Sequence, residues 1–205
     1  MKRLAIIGAS GHGKVVAEIA VELGWDTIVF FDAEWPKMKT HARWPVVGSD
    51  TDSINHINSF DGFFVAIGDN EARCNLSSLL TSVEAKLVNL IHPSSVVSSS
   101  AQIGRGVAVM PGVVVNADSI LGNGVILNTA CIIEHDCRIE AFVHVSPGAH
   151  LAGGVSIGKL SWVGIGSSIK EGLSVGANVV VGAGSVVLRN VKSNLVVFGI
   201  PAKPR

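Results

Sequence analysis

The sequence predicts two architectures in series, a small parallel α/β unit over residues 1–90 and a parallel β-helix over residues 91–205. Two observations predict them. In the first segment, short apolar runs such as Leu4-Ala5-Ile6-Ile7 and Phe63-Phe64-Val65-Ala66-Ile67 are each followed by a glycine turn and a helical stretch. Strands alternating with helices imply parallel strands. In the second, every sixth residue from Ile91 to Val187 is aliphatic without a break. A hexapeptide repeat marks a parallel β-helix, and neither a helix of 3.6 residues per turn nor a simple alternating strand keeps that phase.

Taken in order, Leu4 to Gly8 reads as a strand and Gly8-Ala9-Ser10-Gly11-His12-Gly13 as a glycine-rich turn. Lys14 to Leu23 follows as a helix with Val15, Ile19 and Leu23 on one face and Gly24 as its stop. Thr27 to Phe31 is a second strand ending at Asp32, and the stretch between Ala33 and Asn58 is poorly periodic, carries Trp35, Pro36, Trp44 and Pro45, and is expected to contain a loop. Phe63 to Ile67 is a third strand, then Gly68-Asp69-Asn70 and a helix from Glu71 to Leu80. From His92-Pro93 onward, three hexapeptides make one coil of about 18 residues, so residues 91–187 hold about five coils. Gly104, Gly122, Gly158, Gly176 and Gly182 follow the aliphatic position and are expected at the corners, with the aliphatics stacked inside.

Composition narrows the function. Hydrophobic residues make up 48% of the chain and charged residues 16%, which excludes disorder and suggests buried subunit interfaces. Net charge is zero and no basic block occurs, so nucleic acid is not an expected partner. No apolar run is long enough to span a bilayer, and Gly8 to Lys14 interrupt the first one, so no signal peptide is expected and the reading is cytoplasmic. Cys74, Cys131 and Cys137 are odd in number, against a disulfide framework. Cys131 and Cys137 occupy the slot that holds Ser119, Ala149 and Ser161 elsewhere and read as small core residues.

The glycine turn is G-x-x-G-x-G, set between a strand and a helix, the right context for backbone N–H groups to hold phosphate. Among seven histidines, His135 occupies an outward slot two residues after inward Ile133, and histidine suits a base near neutral pH. Asp136 or Glu134 is placed to orient its ring. Gly153-Gly154 would let a reacting carbonyl approach closely, with the Gly153 N–H as an oxyanion donor.

The segments Gly8 to Gly13, Ala66 to Arg73, Asn128-Thr129 with Ile133-Glu134-His135-Asp136, His144 to Ala149, and Gly199-Ile200-Pro201-Ala202-Lys203 together resemble the bacterial hexapeptide acyltransferases that carry a nucleotide-binding N-terminal domain. The resemblance covers essentially the whole chain. It is to the N-acetyltransferases acting on UDP-4-amino-4,6-dideoxy-sugars, as in bacillosamine synthesis, with sialic acid O-acetyltransferases as relatives. It implies a Rossmann-like first domain, a left-handed β-helix and a homotrimer with active sites between neighbouring subunits. It implies acetyl-CoA as co-substrate and no metal. His135 would be the catalytic base, with Asp136 standing where those relatives have glutamate. His144, Gly153, Ile165, Gly182, Ala183 and Lys203 would form the acetyl-CoA site, with Arg205 near the CoA phosphates. Gly11, His12, Gly13, Asp32, Gly68 and Asn70 would hold the UDP-amino-sugar, while Ala33 and Glu34 replace a second acid and a lysine of the family pattern.

The expected reaction is therefore N-acetylation of a UDP-4-amino-sugar by direct transfer. The alternative is O-acetylation of sialic acid or another sugar hydroxyl on the same fold. A β-helix carbonic anhydrase is a rival of another class. Its zinc would need His135, His144 and His150 to converge, and spacings of nine and six do not match ligands stacked one coil apart. A non-catalytic sugar-nucleotide-binding assembly is the remaining rival.

Overall fold

The computed structural model describes residues 1–205. The chain divides into two compact units, Met1–Leu90 and Ile91–Arg205.

The first unit contains strands β1 (Arg3–Ile7), β2 (Thr27–Phe31), β3 (Thr40–His41), β4 (Trp44–Gly48) and β5 (Gly62–Val65), with helices α1 (Gly11–Glu22) and α2 (Asn70–Ser82). The sheet order is β3-β4-β2-β1-β5. β4, β2, β1 and β5 run parallel, and β3 pairs antiparallel with β4. Chain order thus reverses direction across β1, with β2 on one side and β5 on the other. In open α/β sheets the crevice beyond the strand C-termini at such a switch point is where ligands bind. Here it is bounded by the β1–α1 loop and the β5–α2 turn.

β1, β2 and β5 are apolar on both faces, as parallel strands covered on both sides require. Ala5, Ile7, Val29, Phe31, Phe63, Val65 and Leu80 form one core cluster. Burying each such aliphatic or aromatic side chain contributes about 1.5–3 kcal/mol. α1 ends as expected at Gly24, which takes φ +75°. The Trp25 N–H donates to Ala20 O and the Gly24 N–H to Val21 O, closing a Schellman motif.

One sequence expectation in this unit needs correction and another stretch needs filling in. Val15 is not on the buried face of α1: it is 43% exposed, and Val16, Ala17, Ile19 and Ala20 face inward. The expectation followed Val15, Ile19 and Leu23 at spacing four, whereas the buried face is centred on Val16, Ala17, Ile19 and Ala20. The poorly periodic stretch between Ala33 and Asn58 holds ordered elements besides its turns. It holds the β3–β4 hairpin and a 3₁₀ segment, Thr51–Ser59. The alternation in Trp44-Pro45-Val46-Val47-Gly48 is real, buried at Trp44, Val46 and Gly48. Pro45 obscured it, because proline argues against a sheet interior. The proline is tolerated on an outward position opposite Thr40 of the two-residue edge strand.

The second unit is a three-sided parallel β-helix of two-residue rungs. One sheet stacks Val96–Val97, Val114–Val115, Ile132–Ile133, His150–Leu151, Ser168–Ile169 and Val186–Val187. A second stacks Gln102–Ile103, Ile120–Leu121, Arg138–Ile139, Ser156–Ile157 and Ser174–Val175. The third runs through Ala108–Val109, Ile126–Leu127, His144–Val145, Trp162–Val163 and Val180–Val181 to Val196–Gly199 and Ala202–Pro204. The second residue of each rung is the repeated aliphatic, and Leu121, Leu127, Ile133, Ile139, Val145, Leu151, Ile157 and Val163 are all buried.

The glycines after the aliphatics do not turn the corners. The left-handed backbone falls two residues later, at Gly106, Gly112, Asp118, Gly124, Ala130, Asp136, Phe142 and onward every sixth residue to Gly184. Gly122 is needed for a different reason: a Cβ there would lie 2.5 Å from the Ala141 backbone nitrogen of the next coil. The small residues of the Ser119 slot tie coils together. Ser119 Oγ donates to Glu134 O at 2.7 Å and Ser161 Oγ to Gly176 O at 2.8 Å. Cys137 Sγ makes the same contact with Ala152 O at 3.3 Å. Burial pushes the Cys131 thiol up to about 12, so it is an inert core group.

Candidate functional site

On the β-helix, His135 leaves the Ile132–Ile133 rung at the corner that leads to Arg138–Ile139. Its Nδ1 lies 2.7 Å from Asp136 Oδ2. Asp136 has φ +60°, a conformation that Asp tolerates better than most residues, and from there its short side chain reaches the neighbouring ring. Both side chains are more than half exposed, at 63% and 65%. Glu134 is committed elsewhere, accepting from Asn116 Nδ2 at 2.8 Å.

Gly153 lies one coil on, against the imidazole: a Cβ there would come within 2.6 Å of His135 Nε2 and Cε1. The Gly154 N–H donates to His135 O at 2.8 Å and holds the two coils in register. The Gly153 N–H donates to no backbone carbonyl. One corner therefore groups an exposed imidazole, a carboxylate on its Nδ1 and a glycine whose Cα side packs against its Nε2 edge. An imidazole paired with a carboxylate in this way has the make-up that general-base chemistry requires.

The other residues read as the acetyl-CoA site gather elsewhere. His144, only 7% exposed, stacks on Trp162 with ring centroids 4.7 Å apart, and its Nε2 lies 3.1 Å from Asn128 Nδ2. Trp162 Nε1 in turn donates to Ser146 Oγ at 2.7 Å. On the corner after the same sheet, the Gly184 N–H donates to Ile165 O, and Ser167 Oγ donates to Gly182 O. Gly164 packs directly under Gly182 and Ala183. Gly182 faces Phe198, the cross-strand partner of Lys203. Ile165, Ala183 and Lys203 are exposed and Gly182 is half-buried, on coils and strands that neighbour one another at this end of the sheet. Within a single chain these residues and His135 belong to different corners of the helix. Arg205 is tied to the same end by its backbone N–H on Val196 O.

His135, His144 and His150 do not converge. His150 is exposed on the sheet that carries Ile132, whereas His144 is stacked into another sheet. No group of three His, Cys, Asp or Glu side chains is arranged to hold a metal.

In the first unit, the β1–α1 loop is braced from several sides. Asp32 Oδ2 accepts the Ala9 N–H at 2.6 Å and Oδ1 the Glu34 N–H at 2.9 Å, so its carboxylate is spent on the loop backbone. His41 Nε2 lies 2.9 Å from Ser10 O, which ties the β3–β4 hairpin to the loop. Gly13 packs against the Gly8 carbonyl and the Phe30 ring, where no Cβ fits. Gly11 is open, with nothing near its Cβ position. His12 Nε2 is buried without a hydrogen-bond partner. Burial, and secondly the charge of Arg73, lower the His12 pKa to about 4, so the ring is neutral near pH 7.

Across the crevice, Asp69 caps α2, accepting the Ala72 N–H at 2.8 Å. Asn70 is buried, with its Oδ1 held by Arg73 Nη2 at 2.7 Å. Sequence reading assigned no role to Arg73, Asn128, Trp162 or His41. Trp162 was legible as the residue one coil beyond His144; Arg73 and His41 carry no local signal.

Comparisons with known proteins find relatives of both units. Residues 3–80 match the family model described as the PglD N-terminal domain. A UDP-N-acetylbacillosamine N-acetyltransferase of Bacillus subtilis (strain 168) is 34% identical over 113 residues, 54% of this chain and 52% of that protein, so the match spans about half the length of each. A crystal structure of a histidine-to-asparagine mutant of perosamine N-acetyltransferase from Caulobacter crescentus, in complex with CoA and GDP-perosamine, is 40% identical with a TM-score of 0.94, covering 100% of this chain and 97% of that one. The acetyltransferase domain of PglB from Neisseria gonorrhoeae FA1090, in complex with acetyl coenzyme A, is 42% identical with a TM-score of 0.93, covering 100% and 99%. With this coverage by both units, the chain belongs to the hexapeptide-repeat sugar N-acetyltransferases.

Proposed function

We propose that this protein transfers the acetyl group of acetyl-CoA to the 4-amino group of a UDP-4-amino-4,6-dideoxy-sugar, giving UDP-N,N'-diacetylbacillosamine for protein glycosylation. The observation that carries the reading is the His135–Asp136 pair at 2.7 Å with Gly153 beside the free ring edge. Asp136 holds the proton on Nδ1, leaving Nε2 with its lone pair outward. Nε2 takes a proton from the amine nitrogen as that nitrogen bonds to the thioester carbonyl carbon. The Gly153 N–H stabilises the oxyanion that forms. The tetrahedral intermediate then expels the CoA thiolate, and no covalent enzyme intermediate is needed.

Gly11, His12, Gly13, Gly68 and Asn70 would hold the nucleotide diphosphate through backbone N–H groups. Asp32 would act by fixing the loop, as its contacts with Ala9 and Glu34 support. His144, Ile165, Gly182, Ala183 and Lys203 would line the pantetheine and phosphate path, and the free thiols Cys131 and Cys137 take no part. Their separation from His135 on different corners supports a homotrimer in which each site draws on two copies. So does the outward row of Trp162, Val180 and Val196, each at least partly exposed and in register on one sheet. No helix is long and apolar enough to cross a membrane. A supply of acetyl-CoA is met in the cytoplasm, where we place the reaction.

The test is CoA-thiol release from acetyl-CoA with UDP-4-amino-4,6-dideoxy-N-acetylglucosamine, GDP-perosamine and a sialic acid as separate acceptors. Release with the UDP-amino-sugar at least tenfold above the other two is expected. Preference for GDP-perosamine would move the nucleotide assignment, and preference for the hydroxyl acceptor would sink N-acetylation.

A further inference from the structure

Arg73 is one of the most deeply buried side chains in the chain, 1% exposed, yet it carries a full charge inside the nucleotide-binding unit. Its Nη1 donates to Ile67 O at 2.9 Å and Gly68 O at 3.1 Å, and lies 3.4 Å from Asp69 O. Its Nη2 donates to Asn70 Oδ1 at 2.7 Å. One guanidinium thus gathers three successive carbonyls of the β5–α2 turn.

That has a geometric consequence. The peptide bonds of this turn are trans, since the cis bonds fall at Trp35-Pro36 and Ile200-Pro201. In a trans peptide the N–H points opposite to the C=O. Turning the carbonyls of Ile67, Gly68 and Asp69 inward aims the N–H groups of Gly68, Asp69 and Asn70 away from Arg73. Those of Gly68 and Asp69 reach no backbone acceptor in the chain. They open at the N-terminus of a helix of 13 residues, where the dipole favours an anion.

The charge of the turn points the same way. Asp69 caps the helix and Glu71 sits in its first turn, both carboxylates. Left alone they would oppose a phosphate. Arg73 behind the turn offsets Asp69, and the two groups are near enough for Asp69 to counteract the lowering of the Arg73 pKa by burial, which leaves it at about 10. The first turn of α1 supplies an independent sign of a ligand. His12 Nε2 is sequestered with no partner, within electrostatic reach of Arg73.

We infer that Arg73 is the positioning residue for nucleotide-diphosphate binding: it turns the Gly68–Asn70 amides outward and cancels the Asp69 charge behind them. This rests on the proposed use of the first unit for a sugar nucleotide. It adds that affinity for the diphosphate is set by a residue that does not touch it.

The experiment titrates UDP, and separately GDP, into the full-length wild type, Arg73→Met, Arg73→Lys and the double variant Asp69→Asn/Arg73→Met. Asn caps a helix about as well as Asp, so the double variant removes charge while keeping the cap. Arg73→Met is expected to weaken the bound nucleotide by about tenfold or more, as loss of charged hydrogen bonds predicts. Arg73→Lys should fall between wild type and Arg73→Met. The double variant should recover at least about threefold over Arg73→Met, because the uncompensated carboxylate is gone. A purely structural arginine would leave the double variant no better than the single one. The KM for acetyl-CoA should stay within about twofold throughout, since its residues lie on the other unit. If Arg73→Met does not fold, Arg73→Lys compared with wild type decides, and unchanged nucleotide affinity there overturns the inference. Nucleotide affinity unchanged in Arg73→Met, or no recovery in the double variant, overturns the inference while leaving the nucleotide site standing. A wild type that binds neither UDP nor GDP overturns both.

Discussion

Gly153 lies against the imidazole of His135 so closely that a single added methyl group would come within 2.6 Å of Nε2. The contact joins residues one coil apart, and it explains why this position in the repeat is glycine. Gly153→Ala is expected to push the ring off Asp136 and lower kcat by about tenfold or more, in line with the sensitivity of catalysis to misplaced groups. The thermal midpoint should stay within a few degrees, because the displaced ring is on the surface. Steady-state CoA release together with calorimetry checks both, and full activity in Gly153→Ala would remove the glycine from the site.

His135→Ala should lower kcat by about 10²–10⁴-fold with little change in the KM for acetyl-CoA. Asp136→Asn keeps a residue that accepts the left-handed backbone and replaces the carboxylate with an amide. It should reduce kcat less than His135→Ala does, whereas Asp136→Glu should retain more activity than Asp136→Asn. Equal loss in Asp136→Asn and Asp136→Glu would mean that backbone geometry, not charge, is what Asp136 supplies.

His12 makes stability depend on pH. Its folded pKa, about 4, lies below the ordinary histidine value of 6.5. Between those values the unfolded chain binds more protons than the folded one, so stability rises with pH through that window and is full above 6.5. Moving from pH 7.5 to 5.5 should cost on the order of 1 kcal/mol from this residue. Urea unfolding followed by tryptophan fluorescence reads it, because Trp25, Trp35 and Trp44 all lie in the first unit. A His12→Gln variant should lose that part of the pH slope; an unchanged slope would show that His12 is protonated where it sits.

The coil glycines divide into two kinds with different costs. Gly122→Ala would drive a Cβ to 2.5 Å from the Ala141 nitrogen and should destabilise by about 1–3 kcal/mol as overpacking. Gly172 has open space around its Cβ position but φ +69°, so Gly172→Ala should cost only about 1–2 kcal/mol of backbone strain. Thermal denaturation of the two variants gives the order, and a larger loss in Gly172→Ala would contradict it.

If three copies assemble through the outward row of Trp162, Val180 and Val196, Val180→Lys should yield a smaller species in analytical ultracentrifugation. A charged residue at the centre of an apolar contact is strongly disfavoured. Persistence of the wild-type mass in that variant would place the interface on another face.

The β-helix was legible because its period is local: each face of each coil repeats the same inward slot, so one aliphatic is needed every sixth residue. Ile91 to Val187 declare it with no knowledge of neighbours. His135 was legible through its outward slot and the resemblance of its surroundings. The β3–β4 hairpin was hidden by Pro45, since local propensity misreads an outward proline at a sheet edge. The corner residues were misplaced because glycine serves two purposes in the repeat, and only stacked coordinates separate Gly122, which makes room, from Asp136, which turns the chain.

Relationships between residues distant in sequence were decided by tertiary structure alone. Composition and spacing carry burial and period, but not which carbonyls a guanidinium gathers or which amide a carboxylate accepts. Hence Asp32 bracing Ala9 and His41 on Ser10 appear only once the strands are paired. Hydrogen bonds are directional and short-ranged, whereas the pattern of apolar residues survives being read one position at a time.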